Sequence, residues 1–156
     1  MAEGEKLVAS NRRASYEYHL EVRFEAGLSL LGTEVKSLRA GRGNLLDAWC
    51  DFDADGLTIK GLHIAPYERG GYVNHEPTRP RRLLLGRDEI AKLRKGVEVK
   101  GYTIVPTKIY FKDGWAKVEI ALARGKQLHD KRDTIADRDS KRALDRARKG
   151  RSRDDD

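Results

Sequence analysis

What most limits the folds open to this chain is a break in its apolar content just after Leu122. From Arg124 to Arg153 there are 12 Lys and Arg against 5 Asp and no aromatic residue, and the only sizeable apolar side chains are Leu128, Ile135 and Leu144. Such a segment cannot bury enough surface to offset the entropy lost on ordering it. The core must therefore come from the residues before it. The expected division is a folded domain over residues 1–123 and a basic tail over residues 124–156, disordered when free. Asp137–Lys141 and Asp145–Lys149 are i,i+4 pairs in the favourable orientation, so the tail is predicted to become helical against a partner.

Ahead of the break, the periodicities are those of short strands and a few helices. Tyr16, Tyr18, Leu20, Val22 and Phe24 alternate with Glu17, His19, Glu21 and Arg23, which predicts one half-buried strand. Thr33 is expected to cap a short helix that carries Val35 and Leu38 on its inner face and stops at Gly41 or Gly43. Asp53-Ala54-Asp55-Gly56 lies between the strand-like runs 48–52 and 57–64, and Lys112-Asp113-Gly114 between 102–111 and 115–122; both read as hairpins. In the second, Ala116, Val118, Ile120 and Leu122 share a face. Ile90, Leu93 and Val97 are spaced for a helix over residues 88–97. Residues 67–82, rich in Gly, Pro and Arg, read as a long loop of the kind that usually has a function. The fold class expected is α+β, mainly β: five or six antiparallel strands in a small closed barrel with two or three short flanking helices.

Charge narrows the function. Lys and Arg number 32 against 25 Asp and Glu, a net charge of +7, which favours a polyanionic partner, nucleic acid before membrane. No run approaches the roughly 18 apolar residues of a membrane span, and the N-terminus lacks the apolar segment of a signal peptide. A cytoplasmic monomer that does not engage membranes is expected. Cys50 is the sole cysteine, which excludes an intramolecular disulfide and a cysteine-rich zinc site; set among Trp49, Asp51 and Phe52 it reads as a small buried hydrophobe on a strand. His19, His63, His75 and His129 lack ligand spacing, and there is no Gly-rich phosphate loop. No cofactor is expected. The strongest enzymatic signal is Glu34-Val35-Lys36, the Glu-x-Lys of metal-dependent nucleases, but that motif needs a strand where the sequence predicts a helix. Basic groups at Arg12, Arg13, Lys36, Arg39, Arg42, Arg79, Arg81 and Arg82, together with Asn11, Asn44 and Asn74, fit recognition of structured RNA by backbone and shape. No interleaved aromatic stripe marks a platform for stacking single strands.

Several blocks are more specific than any of these patterns. They are Asn11-Arg12-Arg13-Ala14, Phe24-Glu25-Ala26-Gly27, Gly32-Thr33-Glu34-Val35-Lys36-Ser37-Leu38-Arg39-Ala40-Gly41 and Asn44-Leu45. Further along come Ile64-Ala65-Pro66-Tyr67, Asn74-His75-Glu76-Pro77-Thr78-Arg79, Arg82-Leu83-Leu84-Leu85, Gly125-Lys126 and His129-Asp130-Lys131-Arg132. In order and spacing, over residues 7 to 139, they resemble small protein B, the tmRNA-binding (SsrA-binding) protein family. The resemblance implies an OB-like antiparallel β-barrel and a non-catalytic adaptor. Such a protein would bind the tRNA-like domain of tmRNA, support its alanylation (an indirect link to alanyl-tRNA synthetase), and with elongation factor Tu bring it to the A site of stalled ribosomes for rescue and peptide tagging.

The resemblance also implies roles for residues. Asn11, Glu25, Leu84 and Lys117 would bind RNA, joined by Lys36, Arg39 and Asn44 from the matching blocks. Gly125 would be a hinge to the tail. His129, Asp130, Lys131 and Arg132 would act in the decoding region of 16S rRNA and the empty mRNA channel. Tyr16 stands where a histidine is frequent in the family, and the chain ends in Asp154-Asp155-Asp156. The competing readings are an unrelated RNA-binding module, such as a ribosomal structural protein, and the Glu34/Lys36 nuclease.

Overall fold

The computed structural model describes residues 5–54, 56–71 and 73–126. Its elements in chain order are β1 (Glu5–Ser10), α1 (Arg12–Glu17), β2 (Tyr18–Leu28), α2 (Gly32–Arg39), β3 (Gly43–Asn44), β4 (Trp49–Asp53), β5 (Gly56–Lys60), β6 (His63–Ile64), β7 (Arg81–Leu84), α3 (Arg87–Val97), β8 (Tyr102–Lys112) and β9 (Trp115–Gly125). The protein is mainly β with three short helices. Among the described residues, no helix is long and apolar enough to cross a membrane.

Both hairpins form where turn chemistry places them. Asp53 pairs with Gly56 across the β4–β5 turn; one Asp53 oxygen accepts the Gly56 N–H at 3.0 Å and the other the Thr58 hydroxyl at 2.7 Å. At the β8–β9 turn, Asp113 (φ 51°) and Gly114 (φ 84°) both have positive φ, the geometry that matches the right-handed twist of the flanking strands. β8 and β9 pair from Tyr102–Arg124 to Lys112–Trp115. Val118 and Ile120 are fully buried on the face predicted for them, with Ala116 and Leu122 packed against it. Helix α3 covers the core with Leu93, fully buried, flanked by Ile90 and Val97. The Arg94 guanidinium lies 4.4 Å from the centre of the Phe52 ring. Cys50 is buried on β4, and loss of hydration pushes its thiol pKa well up, so it behaves as the expected inert hydrophobe.

The first strand differs from expectation. Tyr16 and Glu17 finish α1, and β2 starts at Tyr18. The alternation then breaks: the register with β9 shifts between Leu20 and Val22. Because side chains alternate with period two, one extra residue reverses every face beyond it. Phe24, Ala26 and Leu28 accordingly pack in the main core. Tyr18 and Leu20 pack on the opposite face with Ala14, Val105, Ala121 and Ala123, and Val22 is left 47% exposed. A similar shift between Pro106 and Lys108 sends Ile109 and Phe111 into the main core. Strand β1, which no periodicity in the sequence marks, pairs with β8.

The large sheet is antiparallel, in the order β1-β8-β4-β5-β7-β2-β9, with β8 also paired to β9; β3 and β6 form a separate pair. The ladders are unequal. β2–β9 and β8–β9 are long. By contrast β4 meets β8 only at Cys50–Ile104, and β7 holds β5 and β2 by two residue pairs each. The outcome is a curled antiparallel sheet and not the clear OB-like barrel anticipated.

Gly61 is one glycine the fold requires. Its φ is +72°, and a Cβ there would overlap the Asp47 carbonyl oxygen and stand 2.8 Å from the Trp49 ring. Gly61→Ala is expected to destabilise the protein by about 1–3 kcal/mol; an unchanged urea midpoint would refute the conformational requirement.

Candidate RNA-binding surface

Helix α2 sits on a buried polar network that ties down the long loop. Glu34, fully buried, accepts the Leu31 N–H at 2.8 Å and Arg79 Nη2 at 2.5 Å on Oε1, and Arg81 Nε on Oε2. Arg81, equally buried, donates from Nη1 to the Leu62 carbonyl at 2.7 Å and from Nη2 to the Pro77 carbonyl at 3.1 Å. His75 lies 2.8 Å from the Ile64 carbonyl through Nε2 and 2.9 Å from the Thr33 hydroxyl through Nδ1. A carbonyl only accepts, so Nε2 donates to Ile64, and the Thr33 hydroxyl, which can donate or accept, completes the pair at Nδ1. Burial raises the Glu34 pKa, but the bonds from Arg79, Leu31 and Arg81 outweigh it and hold the carboxyl below its ordinary range.

This network corrects three sequence expectations. Thr33 does not cap α2; the helix begins at Gly32 after Leu31, and Thr33 instead binds His75. Arg81 is buried in an ion pair and offers nothing to phosphate, and Arg79 is committed to the same carboxylate. Glu34 lies on a helix with both oxygens held by arginines, so the Glu-x-Lys nuclease reading loses its metal ligand. Among the described residues no group of three or more His, Cys, Asp or Glu is placed to hold a metal ion.

The outward face of the sheet brings several of the remaining residues together. Gly27 on β2 pairs with Leu84 on β7 to one side and Lys117 on β9 to the other, and Lys117 pairs in turn with Tyr110 on β8. The row Leu84–Gly27–Lys117–Tyr110 thus crosses four strands. Leu84 is 57% exposed and Trp115, two residues before Lys117 on the same strand face, is 73% exposed. Together they edge a cavity of about 530 Å³ that also reaches Leu28, Val35 and Phe111. Glu25, next along β2, accepts the Tyr110 hydroxyl at 2.5 Å and Lys112 Nζ at 3.4 Å. The Tyr110 bond lowers its pKa against a smaller opposing effect of burial, and the charges of Lys112 and Lys117 lower it further. Glu25 is therefore an ionised acceptor in a basic surround. On α2, the Arg39 guanidinium lies 5.6 Å from the centre of the Phe111 ring, whose residue lines the cavity.

Other predicted site residues stand apart from this cavity. The Lys36 ammonium is 5.4 Å from the Tyr67 ring centre. Asn44 Oδ1 accepts the Leu46 N–H at 2.8 Å. Asn11 follows β1; its N–H donates to the Thr107 carbonyl at 2.7 Å and its Nδ2 to the Pro106 carbonyl at 3.2 Å, while the buried Oδ1 has no partner. It lines a smaller cavity with Arg13 and Trp49. Gly125 ends β9 opposite Tyr18. His129, Asp130, Lys131 and Arg132 lie outside the described residues. Sequence reasoning missed Trp115, although its position directly after the Asp113-Gly114 turn, out of phase with Ala116 and Val118, marks it as outward-facing.

A curled antiparallel sheet whose outer face carries lysines, an ionised acceptor and an exposed indole beside an apolar cavity belongs to the class of small β proteins suited to bind RNA. The chain matches the SmpB protein family over residues 8–150. It is 51% identical over 148 residues to an SsrA-binding protein of Pelotomaculum thermopropionicum, covering 95% of this chain and 97% of that one. It is 52% identical over 145 residues to another of Thermobifida fusca, covering 93% and 91%. A solved chain described as "tmRNA-SmpB: a journey to the center of the bacterial ribosome" superposes with a TM-score of 0.64 at 48% identity, over 77% of this chain and 85% of that one. The chain belongs to the SmpB family of SsrA-binding proteins.

Proposed function

We propose that this protein binds tmRNA and acts in trans-translation as the adaptor that brings tmRNA to stalled ribosomes. The observation that carries the reading is the row Leu84–Gly27–Lys117 with Glu25 beside it: Leu84, Lys117 and Glu25, assigned to RNA by resemblance and far apart in sequence, meet on one sheet face around Gly27. The finer parts of the proposal are recognition of the tRNA-like domain, support of its alanylation, and delivery to the A site with elongation factor Tu. The curled sheet would serve as an OB-like platform spanning residues 1–123. Residues 124–156, including His129, Asp130, Lys131 and Arg132, would engage the 16S rRNA decoding region and the mRNA channel, with Gly125 as the hinge. Asn11, Lys36, Arg39 and Asn44 would extend the RNA contact beyond the cavity. The protein acts as a cytoplasmic monomer without a cofactor.

A gel-shift titration of tmRNA against a tRNA competitor tests the central claim; equal affinity for both would sink it. Within that assay, Glu25→Ala is expected to weaken binding about tenfold, the loss of one or two charge-assisted hydrogen bonds, although the substitution makes the protein more basic. Tighter binding by the variant would show that Glu25 merely repels phosphate.

A further inference from the structure

We infer that Tyr110 is the positioning residue for Glu25: its hydroxyl, reaching across β9, holds the carboxylate in place to accept a hydrogen bond from RNA. This rests on the RNA-binding function proposed above and deepens it by naming a residue that acts through another.

The geometry comes from the strand order. Glu25 is on β2 and Tyr110 on β8, with β9 between them and paired to both. Adjacent strands are roughly 4.8 Å apart, so the two backbones stand roughly 10 Å apart. Only a long side chain closes that gap. Tyr110 does so with a hydroxyl that donates to Glu25 Oε2 at 2.5 Å. Its ring is buried, with the Lys108 ammonium 5.2 Å from the ring centre, so packing fixes the donor. Lys112 Nζ donates to the same oxygen at 3.4 Å, which leaves Oε1 as the oxygen open to a ligand.

Without that hold the carboxylate is badly placed. Its direct partner across the β2–β9 ladder is Glu119, and like charges opposite each other on a sheet repel. Glu119 is turned to the Thr107 hydroxyl at 2.5 Å and to Arg23 at 3.2 Å, and Glu25 to Tyr110 and Lys112. Lys112, longer in reach and 42% exposed, is the weaker tether. A surface glutamate left free loses its rotamer freedom on meeting RNA; one already held has less to lose. The same bond keeps the acceptor charged. Tyr110 does most to lower the Glu25 pKa, against a smaller opposing effect of burial, and Lys112 and Lys117 act in the same direction as Tyr110. Burial, the bond to Glu25 and the charges of Glu25, Glu5 and Glu119 push the Tyr110 phenol up, so it stays a donor.

The test is Tyr110→Phe, which keeps the ring and removes the donor. A gel shift of the full chain with tmRNA is expected to show about fivefold weaker binding. In a Glu25→Ala background the same substitution should cost nothing more, because the residue it positions is gone. Equal losses in both backgrounds would mark a general effect on the fold and overturn the inference. In the free protein, NMR titration of the Glu25 carboxyl should give a higher pKa in Tyr110→Phe than in wild type, since a bond to the charged form has been removed. As the solution is acidified, the variant should accordingly lose tmRNA affinity at a higher pH than wild type. A carboxyl that titrates identically in both proteins overturns the inference. So does unchanged affinity in Tyr110→Phe, which leaves tmRNA binding itself standing. If the wild-type chain does not prefer tmRNA to tRNA, both the inference and the function beneath it fall.

Discussion

Glu34→Ala is expected to destabilise the folded protein by about 3–5 kcal/mol, the usual cost of leaving one partner of a buried ion pair behind. The substitution strands the Arg81 guanidinium, which keeps two carbonyl acceptors but loses its counter-charge in a site closed to water. It also removes the acceptor for the Leu31 N–H at the start of α2 and frees Arg79. Urea unfolding measures the effect directly, and a loss below about 1 kcal/mol would mean that the network is no more than a surface ion pair. The same carboxylate sets a pH dependence. Its folded pKa is depressed from the ordinary value of 4.5, so it contributes stability that is present above that value and lost as pH falls through the lower, folded one. The wild-type protein should therefore lose stability more steeply than Glu34→Ala as pH drops below about 4.5, and parallel curves would contradict the assignment. Lys36, two residues along the helix, takes no part in the network, so the Glu-x-Lys sequence divides into a structural acid and a separate surface cation.

Deleting residues from Lys131 onward is expected to leave tmRNA affinity within about twofold of the full chain, since binding is set mainly by the phosphate and base contacts of the sheet face, yet to abolish peptide tagging on stalled ribosomes. The RNA contacts proposed for the folded part, on the sheet face and beyond it, all precede Gly125, where β9 ends. The deleted stretch carries most of the basic surplus seen after residue 124 and almost no apolar surface. On the proposed function, a basic segment so poor in apolar residues engages ribosomal RNA and is not needed to hold tmRNA. Gel shift and an in vitro tagging reaction on the same preparations separate the two activities. Parallel loss of both would show that the tail belongs to the RNA-binding surface and would end the proposed division of labour.

The two predictions draw on different kinds of legibility. The composition break is visible at once because it is a matter of which residue types a stretch lacks. The family blocks also pointed to Leu84 and Lys117, but not to what lies between them. That Gly27 lies between them, and that Trp115 edges the cavity they line, depends on which strands are neighbours. The arginines show the same limit. Arg81 and Arg82 are adjacent and chemically identical, yet one is sealed against Glu34 while the other pairs with Asp53 at 3.0 Å near the surface. A strand's alternation distinguishes the two positions, but only the sheet says which side is the interior. Tyr16 to Phe24 failed for a related reason: one shifted residue pair reversed the faces, and a bulge leaves no mark on hydrophobic spacing.

The sequence by itself determined the two hairpins, helix α3 and the stop of α2 near Gly41. All of these rest on interactions between residues at most a few positions apart. Only the tertiary structure decided that the strands form a curled sheet with uneven seams, that Glu34 and Arg81 are buried partners, and that an open slot lies between Leu84 and Lys117. Each joins positions 22 or more apart along the chain, the shortest being Ile59 to Arg81, and burial, pairing and free space at such distances are settled by the packing of whole elements.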